Sequence, residues 1–353
     1  MSLRRRTPRG GSVAAVALAA AAALVLTACG GQDDEAAKPG KEAPAGGTEK
    51  KAAAQGGKDF SDAAKKTTAF GTTAAAGQFP RTVTHAMGST ELKAAPERVV
   101  VLDVGELDNV VSLGMQPVGY APTEGDEGIP GYLKKDAGEP KSVGTINNLN
   151  LEAINALKPD LILGSQLRSA DKYDALSKIA PTVFSIRPGF PWKENYLLNA
   201  AALDKTAEAE AKLDAYRAKA TKLGEDLGEK KPTVTMLRYM PGKTRLYAGA
   251  SFIGTILKDS GIPRPQNQQV EDLAVEISPE RMDEAAADWI FTGVYGAKDK
   301  TKRDSAEDNP LWKGLEAVQQ GRAKEVPDET WYLGLGVTAA DKVLDDLRGF
   351  LAK

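Results

Sequence analysis

The sequence predicts an α/β fold of two lobes that are related by an internal repeat and joined by one long backbone helix. Strand and helix patterns recur in the same order in two halves of the chain, and a proline-free helical stretch separates the halves. The 353 residues, 42% of them apolar and 27% charged, are enough for two cores and too highly charged for a bundle buried in a membrane.

The amino terminus has the pattern of a secretory signal. Four arginines lie among the first ten residues, an apolar run covers residues 13–26, and small residues precede Cys29. The run is shorter than the roughly 18 to 20 residues of a spanning helix, and its end resembles a bacterial lipobox, whose cysteine is acylated after cleavage. We therefore expect residues 1–28 to be a signal peptide and Cys29 to be the lipid-bearing residue.

Residues 29–80 are expected to form a disordered tether. From residue 30 to residue 80 there is no Leu, Ile or Val, so this stretch cannot bury enough surface to offset the entropy of ordering. The globular part then divides into an N-terminal lobe (81–204), a connecting helix (205–230) and a C-terminal lobe (231–353).

In the N-terminal lobe, the β-branched run at 98–102 predicts a buried strand, and the apolar spacing after it predicts a helix that ends at Gly114. A short helix at 150–160, a strand at 161–163, a helix at 173–179 and a strand at 181–186 follow.

The connecting segment 205–229 is rich in Ala, Lys, Glu and Leu and has no proline. Its apolar residues recur at helical spacing, which predicts one continuous helix. Because such a connection is stiff, we expect limited closure between the lobes and a largely preformed cleft.

The C-terminal lobe repeats the plan with strands at 233–237, 288–292 and 323–326 and helices at 252–258, 279–286 and 312–318. The best-matched segments pair Glu152 with Glu280 and Asp160 with Asp288, each at a spacing of eight residues. We interpret the two halves as related lobes.

Composition excludes several kinds of chemistry. With one cysteine and one histidine, the chain cannot form a Cys2His2 zinc site, an iron–sulfur cluster, a disulfide framework or a Cys–His nucleophile pair. His85 is interpreted as an ordinary strand-edge residue. Lys and Arg total 46 against 48 Asp and Glu, so nucleic acid is not an expected partner.

The region from Thr82 to Lys353 resembles the substrate-binding lipoproteins of ferric-siderophore and cobalamin ABC importers. The resemblance rests on an ordered series of short segments: HAMG (85–88), PERVVVL (96–102), LGMQPVG (113–119), NLEAI (150–154), KPDLI (158–162), IAPT (179–182), ISPE (277–280) and NPLW (309–312). Within the family, the ferrioxamine-type hydroxamate binders are the most similar.

The resemblance implies a monomeric, extracytoplasmic binding protein, lipid-anchored to the cell membrane, and not an enzyme. It would capture Fe(III)-hydroxamate siderophores and deliver them to the permease of an ABC importer. It would have no cofactor of its own and no protein-bound metal, since the iron is held only through the siderophore. In this family, acidic residues at the positions of Glu152 and Glu280 dock the lobes onto permease arginines; complementing helix dipoles is their other expected role.

Ligands of open α/β sheets lie at the carboxyl ends of the strands, and the residues just past each apolar run are therefore the candidate ligand contacts. These candidates are Arg168, Arg187, Trp192, Arg238, Tyr239, Tyr295, Trp331 and Tyr332. Arginine forks can bind two siderophore oxygens at once, and aromatic faces can cover aliphatic linkers. Alternative roles are lobe packing for Trp192, a surface ion pair for Arg187, and helix capping or contact with a cationic ligand tail for Asp103 and Glu106.

Other ligands and another class of protein stay open at this point. Heme or cobalamin would suit an aromatic cleft, whereas a bare metal ion is disfavoured by the single histidine. An enzyme is suggested only by residues 334–339, which fit G-x-G-x-x-A before a helix. A dinucleotide fold requires a further strand that carries an acidic residue about 20 positions later, and this motif is not followed by one.

Overall fold

The computed structural model describes residues 57–124, 128–301 and 303–352. The predicted signal peptide, Cys29 and the first part of the predicted tether lie outside the described residues. The later part of that tether is folded: helix α1 (Gly57–Thr67) is followed by a segment that pairs Gly71 with Thr84, and Ala63 and Thr67 are buried. The folded part therefore begins about 24 residues before the predicted boundary at residue 81.

An antiparallel hairpin precedes the first lobe. Its strands are β1 (Arg81–His85) and β2 (Gly88–Leu92), and β1 alternates buried and exposed side chains. The side chain of Arg81 is buried and donates to the backbone oxygen of Ala201 at 3.1 Å. The hairpin is thereby attached to the helix that contains Ala201.

The N-terminal lobe is built on a five-stranded parallel sheet of order β5-β4-β3-β8-β9. Its strands and helices are β3 (Val99–Val101), α2 (Val104–Ser112), β4 (Gly119–Tyr120), β5 (Lys141–Ser142), β6 (Gly144–Thr145), β7 (Asn148–Leu149), α3 (Leu151–Ala156), β8 (Leu161–Ser165), α4 (Gln166–Ser169), α5 (Tyr173–Ile179) and β9 (Thr182–Ser185). Strands β3, β8 and β9 are buried on both faces, which explains the apolar runs at 99–101 and 161–163 and the small or apolar residues in the rest of these strands.

Two helices lead from the first lobe to the second. Helix α6 (Trp192–Leu203) ends at Asp204, and α7 (Thr206–Asp226) is the long connecting helix. The prediction of one continuous helix here is confirmed. Its buried face includes Leu213, Tyr216 and Ala220, which recur at helical spacing.

The C-terminal lobe contains a five-stranded mixed sheet of order β12-β11-β10-β13-β14. Its elements are β10 (Val234–Met240), β11 (Lys243–Tyr247), α8 (Phe252–Asp259), β12 (Ala274–Ile277), β13 (Trp289–Val294), α9 (Arg303–Glu307), α10 (Pro310–Lys313), α11 (Glu316–Gln319), β14 (Ala323–Glu325), α12 (Asp328–Trp331) and α13 (Val337–Leu351). The helix predicted at 312–318 is divided between α10 and α11 because Leu315 adopts an extended conformation. The segment Pro279–Ala285 is a 3-10 helix.

The two sheets have the same strand order when each lobe is numbered along the chain, which agrees with the predicted repeat. The paired aspartates are also equivalent. Asp160 accepts the backbone N–H groups of Glu97 and Arg98 at 2.9 Å, just before β3, and Asp288 accepts that of Thr233 at 2.7 Å, just before β10. Each carboxylate thus links the start of the first strand of its five-stranded sheet (β3 or β10) to the start of the fourth (β8 or β13).

Candidate functional site

A cleft lies between the two lobes and holds about 860 Å³ of empty space, including its open mouth. Its described wall contains four arginines and no acidic residue. The arginines are Arg168 and Arg187 from the first lobe and Arg238 and Arg245 from the second. The wall is therefore suited to an anionic or oxygen-rich ligand.

Arg238 projects from β10 and is 4% exposed. Its Nε atom donates to Asp328 at 2.6 Å, a second guanidinium nitrogen also binds that carboxylate, and a third donates to the hydroxyl of Tyr247 at 3.0 Å. The guanidinium lies 4.6 Å from the ring centre of Tyr295 and 5.5 Å from that of Tyr332. These contacts fix the side chain before any ligand arrives.

Arg245 was not among the residues predicted from the sequence. Strand β11 runs antiparallel to β10, and Arg245 is the register partner of Arg238, so the two arginines lie side by side on one face. Arg245 also donates to Glu276 at 2.8 and 3.0 Å. The dipeptide Pro241-Gly242 is a turn signal between two alternating segments, and a predicted hairpin there would have found Arg245 and Tyr247.

On the first lobe, Arg168 follows β8 in the short helix α4. Its Nε atom donates to Asp103 at 3.0 Å, and the carboxylate of Asp103 is nearly inaccessible, whereas 23% of the arginine side chain is exposed. Asp103 is also the N-cap of α2, since it accepts the N–H of Val104 at 2.8 Å. The capping interpretation of Asp103 agrees with this geometry.

Arg187 follows β9 and is 7% exposed. Its Nε atom donates to the backbone oxygen of Pro188 at 3.2 Å. Burial, and secondarily the positive charge of Arg168, lower the pKa of Arg187 to about 10. A bound anion between these two guanidinium groups would relieve their repulsion.

Behind this wall, Glu106 is buried in α2, and its Oε2 atom has no hydrogen-bond partner among the described residues. Burial, followed by the charge of Asp103, raises the pKa of Glu106 to about 8. At neutral pH Glu106 is therefore mainly protonated.

Aromatic residues form the apolar part of the wall. Tyr295 and Tyr332, both predicted from the sequence, line the cleft together with Tyr247 and Phe252. Tyr247 and Tyr332 meet edge to face at 5.0 Å between ring centres, and Tyr295 donates to the backbone oxygen of Glu124 in the first lobe at 3.3 Å. The cleft can thus cover both polar and aliphatic parts of a ligand.

Three of the predicted ligand contacts lie in the core instead. Trp192 is fully buried and packs edge to face on Tyr216 of the connecting helix, at 5.0 Å between ring centres. Tyr239 follows Arg238 within β10, so it faces the opposite side of the sheet. Trp331 is fully buried and donates to Asp346 at 2.9 Å. These three placements correct the sequence-based assignment.

Comparison with known proteins identifies the family. A family model described as "Periplasmic binding protein" matches residues 99–330, which span strands of both lobes and the connecting helix. The chain belongs to this family. Periplasmic binding proteins of this kind bind substrates and are not enzymes, in agreement with the sequence-based expectation.

Two relatives from Bacillus subtilis illustrate what this periplasmic binding protein is similar to. It is 35% identical over 292 residues to the probable siderophore-binding lipoprotein YfiY, and the match covers 77% of this chain and 88% of YfiY. It is 31% identical over 271 residues to the Fe(3+)-citrate-binding protein YfmC, and the match covers 74% of this chain and 82% of YfmC.

A solved structure shares the fold of this chain. The crystal structure of Staphylococcus aureus SirA complexed with staphyloferrin B superimposes with a TM-score of 0.69 at 34% identity, and the match covers 76% of this chain and 98% of SirA. The two-lobed α/β fold of this periplasmic binding protein is therefore shared with a protein whose structure contains a bound siderophore.

The two predicted docking glutamates of this binding protein are both exposed. Glu152 lies in the first turn of α3, whose N-cap is Asn150, and Glu280 lies in the first turn of the 3-10 helix Pro279–Ala285. Both positions also suit the dipole interpretation. Neither residue lines the cleft, so a docking role and a ligand-binding role are spatially separate.

Two further observations concern metals and membranes. Within the described ranges there is no group of three or more His, Cys, Asp and Glu side chains that could hold a metal ion. In the same part of the chain, no helix has the length and apolar character needed to cross a bilayer.

Proposed function

We propose that this chain is the extracytoplasmic, lipid-anchored binding protein of an ABC importer and that it captures a ferric siderophore in the cleft between its lobes. The observation that carries the proposal is the cleft wall of four arginines and several tyrosines, drawn from both lobes. The names of its relatives, which include a probable siderophore-binding lipoprotein and a ferric-citrate-binding protein, support the same ligand class.

Within that class, the cleft favours an anionic chelate. Three hydroxamates neutralise Fe(III), whereas polycarboxylates such as citrate leave negative charge on the complex. The carboxylates that pair with Arg168, Arg238 and Arg245 do not line the described wall, so guanidinium groups and no carboxylate face the ligand, which matches the second case better. The hydroxamate class inferred from the sequence remains a prediction, and the two classes are separated by the experiment below.

Isothermal titration calorimetry of the Cys29→Ser protein with ferric citrate, ferrioxamine B, a ferric catecholate, heme and cobalamin tests the ligand class. We expect ferric citrate to bind, and Arg187→Gln or Arg245→Gln to weaken that binding at least tenfold, since each removes a cation from the wall. Arg217→Gln, on the exposed face of the connecting helix, is the matched control.

The outcomes discriminate the candidates. Tight binding of ferrioxamine B that neither arginine substitution weakens would establish the hydroxamate assignment and refute an anionic chelate. Binding of heme or cobalamin with no ferric chelate bound would refute siderophore capture. Recovery of the Cys29→Ser protein in the soluble fraction, with the wild-type protein in membranes, would support lipid attachment at Cys29.

A further inference from the structure

The segment between α12 and α13 belongs to the C-terminal lobe and forms part of the ligand cleft. Tyr332, Leu333 and Leu335 all line the cleft. Leu335 has a backbone φ of +55°, a left-handed conformation that residues other than glycine rarely adopt. A strained residue on the wall of a binding site persists only where neighbouring structure holds it.

The neighbour that holds this segment is Asp108, which lies in the other lobe on α2. Asp108 is fully buried, and its two carboxylate oxygens accept the N–H groups of Thr338 and Ala339 at 3.0 Å each. These are first-turn donors of α13, which have no partner within the helix, and a carboxylate also complements the helix dipole. The first lobe therefore caps a helix of the second.

The glycine-rich motif at 334–339 is explained by this contact. A Cβ atom on Gly336 would lie 2.4 Å from Cγ of Asp108, so only glycine allows the carboxylate to approach the helix. The motif follows α12, not a strand, and the donors that would receive a phosphate in a dinucleotide fold are occupied by Asp108.

A second contact between the lobes lies beside the first. The hydroxyl of Tyr132 donates to the backbone oxygen of Gly334 at 3.1 Å, and the N–H of Gly131 donates to Glu329 at 3.0 Å. Gly105 of α2 also approaches closely, since a Cβ atom there would lie 3.3 Å from the oxygen of Leu335. The segment is thus held by first-lobe residues on either side of Leu335.

We propose that Asp108 is a positioning residue that clasps the N-terminus of α13 to the first lobe and thereby sets the width of the cleft and the placement of Leu333 and Leu335 against the ligand. Asp108 does not line the cleft and acts through the segment it holds. The effect on ligand affinity rests on the proposed function; the effect on the arrangement of the lobes does not.

The test measures both effects in the full chain carrying Cys29→Ser. Spin labels on Lys141→Cys and Lys313→Cys, at exposed sites on different lobes, give the inter-lobe distance distribution without ligand. Asp108→Asn replaces one of the two acceptor oxygens with a donor that faces an N–H group. We expect it to broaden the distribution and to weaken ferric citrate binding at least tenfold, mainly through faster dissociation.

Two further variants make the result specific. Asp346→Asn, on the same helix, changes the acceptor of Trp331, a hydrogen bond within the C-terminal lobe, and we expect wild-type distances and affinity. Tyr132→Phe removes the hydroxyl that donates to Gly334 and also interacts with Asp108, without removing a charge, and we expect about threefold weaker binding and a smaller broadening.

Unchanged distances and dissociation in Asp108→Asn would overturn the clasp. If that variant does not fold, Tyr132→Phe decides: wild-type behaviour in both measurements would likewise overturn the proposal. If no ferric chelate binds even the wild-type protein, the proposed function fails, and the distance distributions still decide whether the clasp exists.

Discussion

His85 is the only histidine in the chain, so a single NMR titration reports its pKa and tests the description of its surroundings. The residue is 2% exposed, and its Nε2 atom lies 3.0 Å from Oγ1 of Thr90. The hydroxyl of Thr90 donates to the backbone oxygen of Thr182, so Nε2 carries the proton that Thr90 accepts. Atom Nδ1 accepts the N–H groups of Met87 and Phe184 at 3.3 Å.

These contacts suit the neutral ring, and burial lowers the pKa of His85 from 6.5 to about 4. As the pH falls, the unfolded chain therefore takes up a proton before the folded protein does. The contribution of His85 to stability is therefore complete above about pH 6.5 and is lost progressively between pH 6.5 and 4. At about 1.4 kcal/mol for each pH unit, the loss in the free energy of unfolding attributable to His85 is about 3 kcal/mol.

The assay is a carbon–proton NMR titration of the imidazole, combined with urea unfolding of the wild-type protein and of His85→Gln at pH 7 and pH 4.5. We expect an apparent pKa near 4 for the folded protein and a pH dependence in the variant that is smaller by about 2 kcal/mol or more. Equal pH dependence in the two proteins, or a titration near 6.5, would refute the buried neutral imidazole.

Three further predictions concern charged residues. Arg238→Ala should weaken binding of the ferric chelate at least tenfold, about 1.4 kcal/mol, by calorimetry, and equal affinity to an Arg217→Ala control would contradict its role. Because Glu106 ionises in the folded protein only near pH 8, its contribution to stability falls as the pH rises from about 4.5 to 8. In urea unfolding, the free energy of unfolding of Glu106→Gln relative to the wild-type protein should therefore rise by about 1 kcal/mol or more between pH 5 and 8.5. A difference between the two proteins that stays constant with pH would exclude the raised pKa. The double variant Glu152→Ala, Glu280→Ala should bind ligand normally but fail to support iron uptake by cells, and normal uptake would reject docking.

The order of strands and helices and the connecting helix could be predicted from the sequence because each depends on local periodicity. Strands β3 and β8 consist of buried β-branched and apolar residues, and α7 has an uninterrupted helical pattern. Helix α1 could not be predicted in this way, since its described buried side chains include Ala63 and Thr67, which provide little apolar area to recognise. Its burial depends on contact with α6, which a local pattern does not reveal.

The site residues could be predicted from the sequence only where the rule that ligands lie at the carboxyl ends of strands applied. Arg168 and Arg187 follow parallel strands and do line the cleft. The rule fails for Arg245, because β11 runs antiparallel and presents a residue from within the strand. It fails for Tyr239 because β10 extends to Met240, so alternation along the strand turns the tyrosine into the core.

The two lobes differ in how the first strand of the sheet is connected to the second, and this difference explains why they present different chemistry to one cleft. Asp160 and Asp288 hold equivalent strand entrances, so the framework is the same in both lobes. In the first lobe every strand pairing of the five-stranded sheet is parallel, and its cleft arginines follow the strands, Arg168 in α4 after β8 and Arg187 after β9. In the second, the hairpin β10–β11 replaces a crossover and sets Arg238 beside Arg245 on strands, each with a carboxylate partner. Because paired strands restrict the backbone more than the segments that follow strands, we expect Arg238 and Arg245 to keep their positions when a ligand binds and Arg168 and Arg187 to shift more.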